Sequence, residues 1–168
     1  RARAAYTSLL DRACDKLTAM REREGKALLA DLLVQRDVIV DRLKIIQSRA
    51  PQCVQDYELR LKSRIQMMLQ DAQLKANEVD MIREIAVYAE RSDISEEITR
   101  LSGHMEQYTR LLTATEGPVG RTLDFLAQEM LREANTMASK SGDATLSRAI
   151  VDIKGAIDRI KEQVQNVE

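Results

Sequence analysis

The segment from Gly120 to Ser141, GRTLDFLAQEMLREANTMASKS, carries a clear helical pattern in this chain of 168 residues. Its apolar residues recur at three- and four-residue steps, and at about 100° per residue they fall on one arc of a helix. The members of that arc are Leu123, Leu126, Ala127, Met130, Leu131, Ala134, Met137 and Ala138. We therefore predict a helix over residues 121–140 that buries this arc in a core.

The polar residues of the same segment are sorted into two strips beside the apolar arc. The first polar strip is about 80° wide and consists of Arg121, Asp124, Gln128, Arg132, Asn135 and Ser139. The second polar strip consists of Glu129, Glu133, Thr136 and Lys140. Gln, Asn, Thr and Ser are poor choices for helix stability alone, so the sorting raises the question of what these strips contact.

Two interpretations of the polar strips stay open at this point. In the structural interpretation, their side chains pair with one another and with neighbouring helices. In the functional interpretation, the strips form a ledge for a phosphate-rich ligand, with Arg121, Arg132 and Lys140 on phosphates. Gln128 and Asn135 would then meet base edges or ribose hydroxyls, and the carboxylates would bind a divalent ion.

A few titratable residues could carry chemistry. Glu129 and Glu133 are like charges four residues apart, which repel unless a cation or an arginine lies between them. His104 is the one histidine of the chain; it is either a surface group or, in a cleft, a general acid–base or a metal ligand. The acidic cluster at 90–97 is equally ambiguous, because Asp93 and Glu96 also have the spacing of a helix-capping box.

Helical periodicity continues through the rest of the chain, and no strand pattern is found. Residues 2–48 form one long amphipathic pattern. Proline lacks an amide hydrogen and pushes the preceding residue out of the helical region. We therefore predict that a helix ends at Ala50 and that Pro51 opens a second helix reaching towards Tyr88. Two long helices joined by a tight turn lie antiparallel, as a hairpin.

Three shorter helices are predicted after the hairpin. The capping box at Asp93 and Glu96 predicts a helix that reaches about Thr113. The loop ATEGPVG (114–120) precedes the helix of the opening segment, and the turn SGDA (141–144) precedes a last helix to Asn166. The sequence thus predicts an all-α fold, with a long antiparallel hairpin over 1–90 and a compact three-helix domain over 91–168.

Composition limits the classes of partner. The formal net charge is −1 at pH 7, so a polyanion would need a local basic patch. Cys14 and Cys53 lack the spacing of a zinc site or a disulfide framework and are predicted to be buried or half-buried thiols. No apolar run approaches the roughly 20 residues of a membrane span, and no signal peptide opens the chain. We expect a cytoplasmic protein, and the helical pattern at its first residues, without a starting Met, suggests that upstream residues are missing.

The segment PVGRTLDFLAQEMLREANTMASKSGDA (118–144), with the chain end EQVQNVE (162–168), resembles the carboxy-terminal half of the YicC family of bacterial endoribonucleases. The similarity continues through MREREGKALLADL (20–32), SRAP (48–51) and ERSDISEEITRLSGHMEQY (90–108). The resemblance implies a missing amino-terminal domain and a metal-dependent cut in single-stranded RNA, with Mn or Mg as the ion. It also implies a homo-oligomer, expected to be a hexamer, with no DNA and no membrane as partner.

The family motif matches this chain along both polar strips and at His104. The resemblance therefore implies these catalytic residues: Glu129, Glu133, Asp124 and His104. From the repulsion of their like charges, we predict that Glu129 and Glu133 bind the metal. The resemblance implies RNA contacts by Arg121, Gln128, Arg132, Asn135, Thr136, Ser139 and Lys140. The chain departs from the family pattern at Leu131, where Asn is more frequent, and at Ala127 and Arg83.

Two functions are compatible with these residues. The first is an endoribonuclease that hydrolyses the phosphodiester bonds of single-stranded RNA with a divalent ion held by carboxylates. The second is a non-catalytic RNA-binding or oligomerisation module, in which the same strips pair helices between subunits. A cleavage assay with Mn²⁺ and chelator separates the two, because a binding module shifts RNA without cutting it.

Overall fold

The computed structural model describes residues 2–72, 78–113 and 118–165, and over these residues it contains α-helices and no strand. The helices are α1 (Ala2–Ala72), α2 (Glu78–Ser92), α3 (Ser95–Leu112), α4 (Gly120–Lys140) and α5 (Ala144–Val164). The end of α1 and α2 run antiparallel, because Tyr57 contacts Tyr88 and Glu84, whereas the earlier residues Pro51 and Val54 lie beside the later residues Ala89 and Ser92. The predicted all-α fold is confirmed over these residues, but the hairpin is made by the end of α1 and α2 and not by two arms that meet at Pro51.

The predicted helix end at Ala50 is wrong, because α1 is one helix of 71 residues with Pro51 inside it. An interior proline loses one hydrogen bond and costs roughly 3 kcal/mol. Packing on both sides of the proline offsets that cost: Ile46 and Cys53 are both buried in the same core. The predicted tight turn at Ala50 and Pro51 is therefore wrong, and residues 73–77, between α1 and α2, lie outside the described part of the chain.

The core joins the middle of α1 to the three carboxy-terminal helices. A continuous buried cluster includes Ile39 of α1, Tyr108 of α3, Met130 of α4 and Ile153 of α5. Because α5 packs against both α1 and α4, the last helix lies between the long helix and the helix that carries the polar strips. The division of the chain into two domains near residue 90 stays a prediction.

The predicted helix over 121–140 is confirmed as α4, which begins one residue earlier at Gly120. Its core residues are Leu123, Leu126, Ala127, Met130, Ala134 and Met137, all buried. One member of the predicted arc was placed wrongly, since Ala138 is exposed, whereas Leu131 is half-buried and packs against the core. Both stand at the edge of the arc that borders the first polar strip, where the neighbouring helices cover α4 only in part.

The predicted turn at 141–144 is confirmed, and Asp143 is the N-cap of α5. Its Oδ1 accepts hydrogen bonds from the amides of Thr145 at 2.9 Å and Leu146 at 3.0 Å. This satisfies two of the four amides that a helix start leaves without intrahelical partners. The predicted end at Asn166 lies outside the described residues, and α5 is assigned to Val164.

The predicted capping box at the start of α3 is wrong. The N-cap is Ile94, which is buried and anchors the entry of the chain into the helix. Asp93 still accepts a hydrogen bond from the Ser95 amide, at 2.9 Å, but Glu96 pairs with Arg100 one turn further along the helix. The acidic residue therefore stabilises the first turn through an i,i+4 ion pair.

The amino-terminal part of α1 is uncovered. The described side chains from Arg3 to Ala27 are all exposed, including the large apolar residues Tyr6, Leu9, Leu10, Leu17 and Met20. Both cysteines are free; Cys53 is buried, but Cys14 lies in this exposed part, contrary to the prediction of a buried thiol. Among the described helices, none combines the length and the apolar character needed to cross a bilayer.

Candidate functional site

The contact between α3 and α4 brings three predicted site residues together. One potential ligand atom each of His104, Glu129 and Glu133 lies within 4.8 Å of the other two. Glu133 is buried, and His104 and Glu129 are half-buried. The carboxylates of the second polar strip therefore face α3 rather than open solvent. His104, whose role the sequence left open, lies beside them.

Core packing on both helices fixes the position of this cluster. On α3 the buried residues Leu101 and Met105 face the core, and His104 stands at the edge of that face. On α4 Glu129 and Glu133 lie one turn apart beside the buried residues. Because side chains four residues apart stack on one face of a helix, both carboxylates point to the same place at the rim of the core.

Arg132 lies between the two carboxylates and relieves their repulsion. Its Nη2 is 3.1 Å from Oε1 of Glu133 and 3.4 Å from Oε2 of Glu129. The hydrogen bond to Glu133 raises the pKa of the Arg132 guanidinium further above its ordinary value. Arg100 of α3 approaches Glu133 as well, with 3.8 Å between Nη1 and Oε1. The buried carboxylate is thus held by two cations at the surface of the protein.

The donor set of the cluster fits a divalent cation. One imidazole nitrogen and two carboxylates make a mixed ligand set that suits Mn²⁺ or another first-row metal, and carboxylates also suit Mg²⁺. Three ligand atoms that share an ion at about 2.1 Å lie mostly about 3–3.6 Å apart, so atoms spread over as much as 4.8 Å have to close by about 1–2 Å. Arg132 has to leave Glu133 for this, and its side chain is 60% exposed and therefore able to turn into solvent.

The first polar strip forms the exposed surface of α4. Arg121, Gln128, Arg132, Asn135 and Ser139 are exposed, and Asp124 is half-buried. Asp124 Oδ2 accepts a hydrogen bond from Gln128 Nε2 at 2.9 Å. Around the helix axis Asp124 is about 140° from Glu129, so the structure places this predicted catalytic carboxylate on a different side of α4 from the His104 cluster.

Several polar groups of α4 have structural partners. Lys140 Nζ donates a hydrogen bond to the buried Glu97 of α3 at 2.7 Å. The hydroxyl of Thr136 donates to the Arg132 carbonyl at 3.1 Å, and the hydroxyl of Ser139 donates to the Thr136 carbonyl at 2.8 Å. In this structure Lys140 therefore ties the end of α4 to the first turn of α3.

Sequence reasoning missed the contribution of Arg100. Its signal was present, because Arg100 and His104 are four residues apart and so share one face of a helix. What the sequence lacked was the partner helix: only the packing of α3 on α4 brings Arg100 within 3.8 Å of Glu133. The site therefore forms where α3 and α4 pack together. The sequence predicts the residues on each helix face, but it does not predict which two faces meet.

Comparison with known proteins matches this chain to one protein family and to two named relatives. A family model described as "Endoribonuclease YicC-like, C-terminal" matches residues 46–168, which include the whole cluster. A protein of Clostridioides difficile (strain 630) named "Probable endoribonuclease YicC" is 37% identical over 153 residues, covering 91% of this chain and 52% of that protein. A protein of the same name from Haemophilus influenzae (strain ATCC 51907 / DSM 11121 / KW20 / Rd) is 39% identical over 151 residues, covering 89% and 50%. The chain spans about half the length of these relatives.

Proposed function

The chain belongs to the YicC-like endoribonuclease family, and we propose that the whole protein hydrolyses RNA phosphodiester bonds at the cluster of His104, Glu129 and Glu133. The observation that carries this proposal is the convergence of these three potential ligand atoms, within 4.8 Å of one another, from two different helices. The exposed basic and amide side chains of the first polar strip lie on the same helix as the two carboxylates and supply the substrate contacts.

The first polar strip is suited to bind the RNA backbone along α4. Its two arginines, Arg121 and Arg132, are exposed, and its one carboxylate, Asp124, is engaged by Gln128. By formal charge the strip carries +1, although the chain has a net charge of −1, and Arg132 becomes available to a phosphate once it leaves Glu129 and Glu133. Asn135 adds an amide that can meet a base edge or a ribose hydroxyl.

Arg132 links substrate binding to the cluster in this proposal. Its guanidinium contacts both Glu129 and Glu133, so a phosphate that attracts Arg132 also frees the two carboxylates for a cation. A divalent cation held by His104, Glu129 and Glu133 would supply Lewis-acid chemistry at the phosphodiester. Glu133 is buried and would fix the position of the cation. Glu129 and His104 are half-buried and lie nearer the solvent, from which a substrate enters.

The proposal is tested with the double variant Glu129→Gln, Glu133→Gln in the full-length protein. Glutamine keeps size and hydrogen-bonding capacity, so the melting temperature should change little, while single-turnover cleavage with Mn²⁺ should fall by at least about 100-fold. The matched control is Asp158→Asn, which removes an exposed carboxylate of α5 that lies outside the cluster and outside the polar strips. Normal cleavage by a folded double variant would remove this cluster from the mechanism.

A non-catalytic module is the second candidate function, and the ion pairs of α4 favour it. The contacts of Lys140 with Glu97 and of Arg132 with Glu133 give these residues a structural role. If the full-length protein shifts single-stranded RNA in a gel but leaves it uncut with Mn²⁺, this candidate replaces the nuclease. A cleavage activity that stops on addition of chelator excludes it.

We also propose that the protein assembles into a homo-oligomer. The exposed apolar residues Tyr6, Leu10, Leu17 and Met20 of α1 recur at steps that place them along one side of the helix. A stripe of this kind is a typical surface for burial against another helix. Sedimentation of the full-length chain as a monomer at micromolar concentration would contradict the assembly.

A further inference from the structure

Phe125 is exposed on the surface of the helix that carries the polar strips. It is the one phenylalanine of the chain, it lies in α4, and 60% of its surface is accessible to solvent. The core residues of the same helix, such as Leu123 and Leu126, are almost fully buried. The only phenylalanine of a chain poor in aromatic residues is therefore left outside the core.

The neighbours of Phe125 on α4 are polar on every side that faces solvent. Arg121 precedes it by four residues, and Gln128 and Glu129 follow it by three and four, so all three stand next to the ring on the helix surface. Around the axis, Phe125 lies about 40° from Glu129 and about 60° from Gln128. The ring therefore stands at the border between the first and the second polar strip, about one turn from the carboxylate cluster.

We propose that Phe125 is a stacking platform for one unpaired nucleobase of the RNA bound along α4. This inference rests on the proposed function and names a residue that selects the substrate. Aromatic side chains stack on splayed bases of single strands, whereas the bases of a duplex are stacked on each other and not available to such a ring. A base held on Phe125 would lie about one turn of α4 from Glu129 of the cluster.

The surroundings of the ring favour a nucleic acid over a second copy of the chain. A protein interface would continue the apolar surface, but along α4 the ring is flanked by Arg121, Thr122, Gln128 and Glu129. An isolated aromatic ring with an arginine and an amide beside it can bind a base and its adjoining phosphate together. Stacking tolerates every base, so this contact selects unpaired RNA rather than a sequence.

Binding measurements with the full-length protein test the proposal. Phe125→Ala should weaken binding of a single-stranded RNA by about 5- to 150-fold, as expected for loss of one stacked base. Phe125→Trp should retain the affinity. The matched control is Val151→Ala, which shortens an apolar side chain that is 67% exposed on α5 and should leave binding unchanged.

A second measurement separates stacking from a general surface effect. These 168 residues contain no tryptophan, so Phe125→Trp adds a reporter here, whose fluorescence should be quenched by bound RNA, with the unmutated protein as the blank. A series of RNAs is then prepared in which a single abasic site is moved along the strand. For one position of the abasic site, Phe125→Ala should cause no further loss of binding affinity. That masking identifies the base that stacks on the ring.

The outcomes distinguish this inference from the proposed function. If the unmutated protein cleaves RNA and Phe125→Ala binds and cleaves equally well, the stacking platform is overturned and the nuclease stands. If Phe125→Ala instead changes the sedimentation of the protein without RNA, a second copy of the chain covers the ring, and the inference is overturned as well. If the unmutated protein neither binds nor cuts RNA, both proposals fail.

Discussion

Arg49 of α1 donates a hydrogen bond to Asp143, the residue that caps α5, with 2.8 Å between Nη2 and Oδ2. The same nitrogen lies 2.6 Å from Oδ2 of Asp56, one turn beyond Pro51. Asp143 meanwhile uses its other oxygen to cap the amides of Thr145 and Leu146. One carboxylate therefore joins the start of the last helix to α1 beside the interior proline.

Replacement of Asp143 should separate its two roles. Asn is as good an N-cap as Asp, so Asp143→Asn loses the ion pair and keeps the cap, whereas Asp143→Ala loses both. We expect Asp143→Ala to be less stable than Asp143→Asn by about 1 kcal/mol in urea denaturation. The control is Asp41→Asn, which removes an exposed pair with Lys44 and should have almost no effect. Equal stability of the two Asp143 variants would contradict the capping role.

The same carboxylate should make stability depend on pH. The hydrogen bond from Arg49 and the amide of Leu146 lower the pKa of Asp143 below its ordinary value of 3.8. A group with a lowered folded pKa contributes stability that is present above its unfolded pKa and is lost as pH falls through the folded value. Wild type should therefore lose more stability than Asp143→Asn from about pH 5 to about pH 3, measured by urea denaturation at each pH. Parallel pH curves for the two proteins would contradict this.

Removal of the interior proline should stabilise the protein. Inside a helix, Pro51 lowers the free energy of unfolding by roughly 3 kcal/mol. Because proline also restricts the unfolded chain, it raises the same free energy by up to about 1 kcal/mol. We expect Pro51→Ala to raise the free energy of unfolding by roughly 2 kcal/mol, with Gln55→Ala as an exposed control nearby. A lower urea midpoint for Pro51→Ala would show that the ring itself is needed for packing.

The stack of Tyr57 on Tyr88 should hold α2 against α1. The two rings are nearly parallel, at 7°, with centroids 3.7 Å apart. Tyr57→Ala should destabilise this contact by about 0.5–1.5 kcal/mol and speed hydrogen exchange in α2, while amides of α4 and α5 keep their protection. Tyr6→Ala, which removes a tyrosine that is 69% exposed, is the control. Unchanged exchange in α2 would contradict the role of the stack.

Periodicity in the sequence predicted α4 and α5 to within two residues at the ends that are described, because their apolar arcs are regular and their caps are local. Pro51 misled the prediction, since its penalty is local and the contacts that offset it come from distant helices. The same limit applies to the candidate site. The spacing of Glu129 and Glu133 was visible, but their approach to His104 depends on how α3 and α4 pack. Lys140 and Glu97 are 43 residues apart in the sequence, so local spacing could not predict their hydrogen bond.

The uncovered part of α1 has a mechanical consequence. From Arg3 to Leu32, the first buried residue of the helix, the axis measures about 44 Å at 1.5 Å per residue. A tilt of about 5° at Leu32 would displace the far end by about 4 Å. Conversely, a force applied near Arg3 exerts a torque on the packing of α1 against α5, with a moment arm longer than the roughly 32 Å of α5 itself.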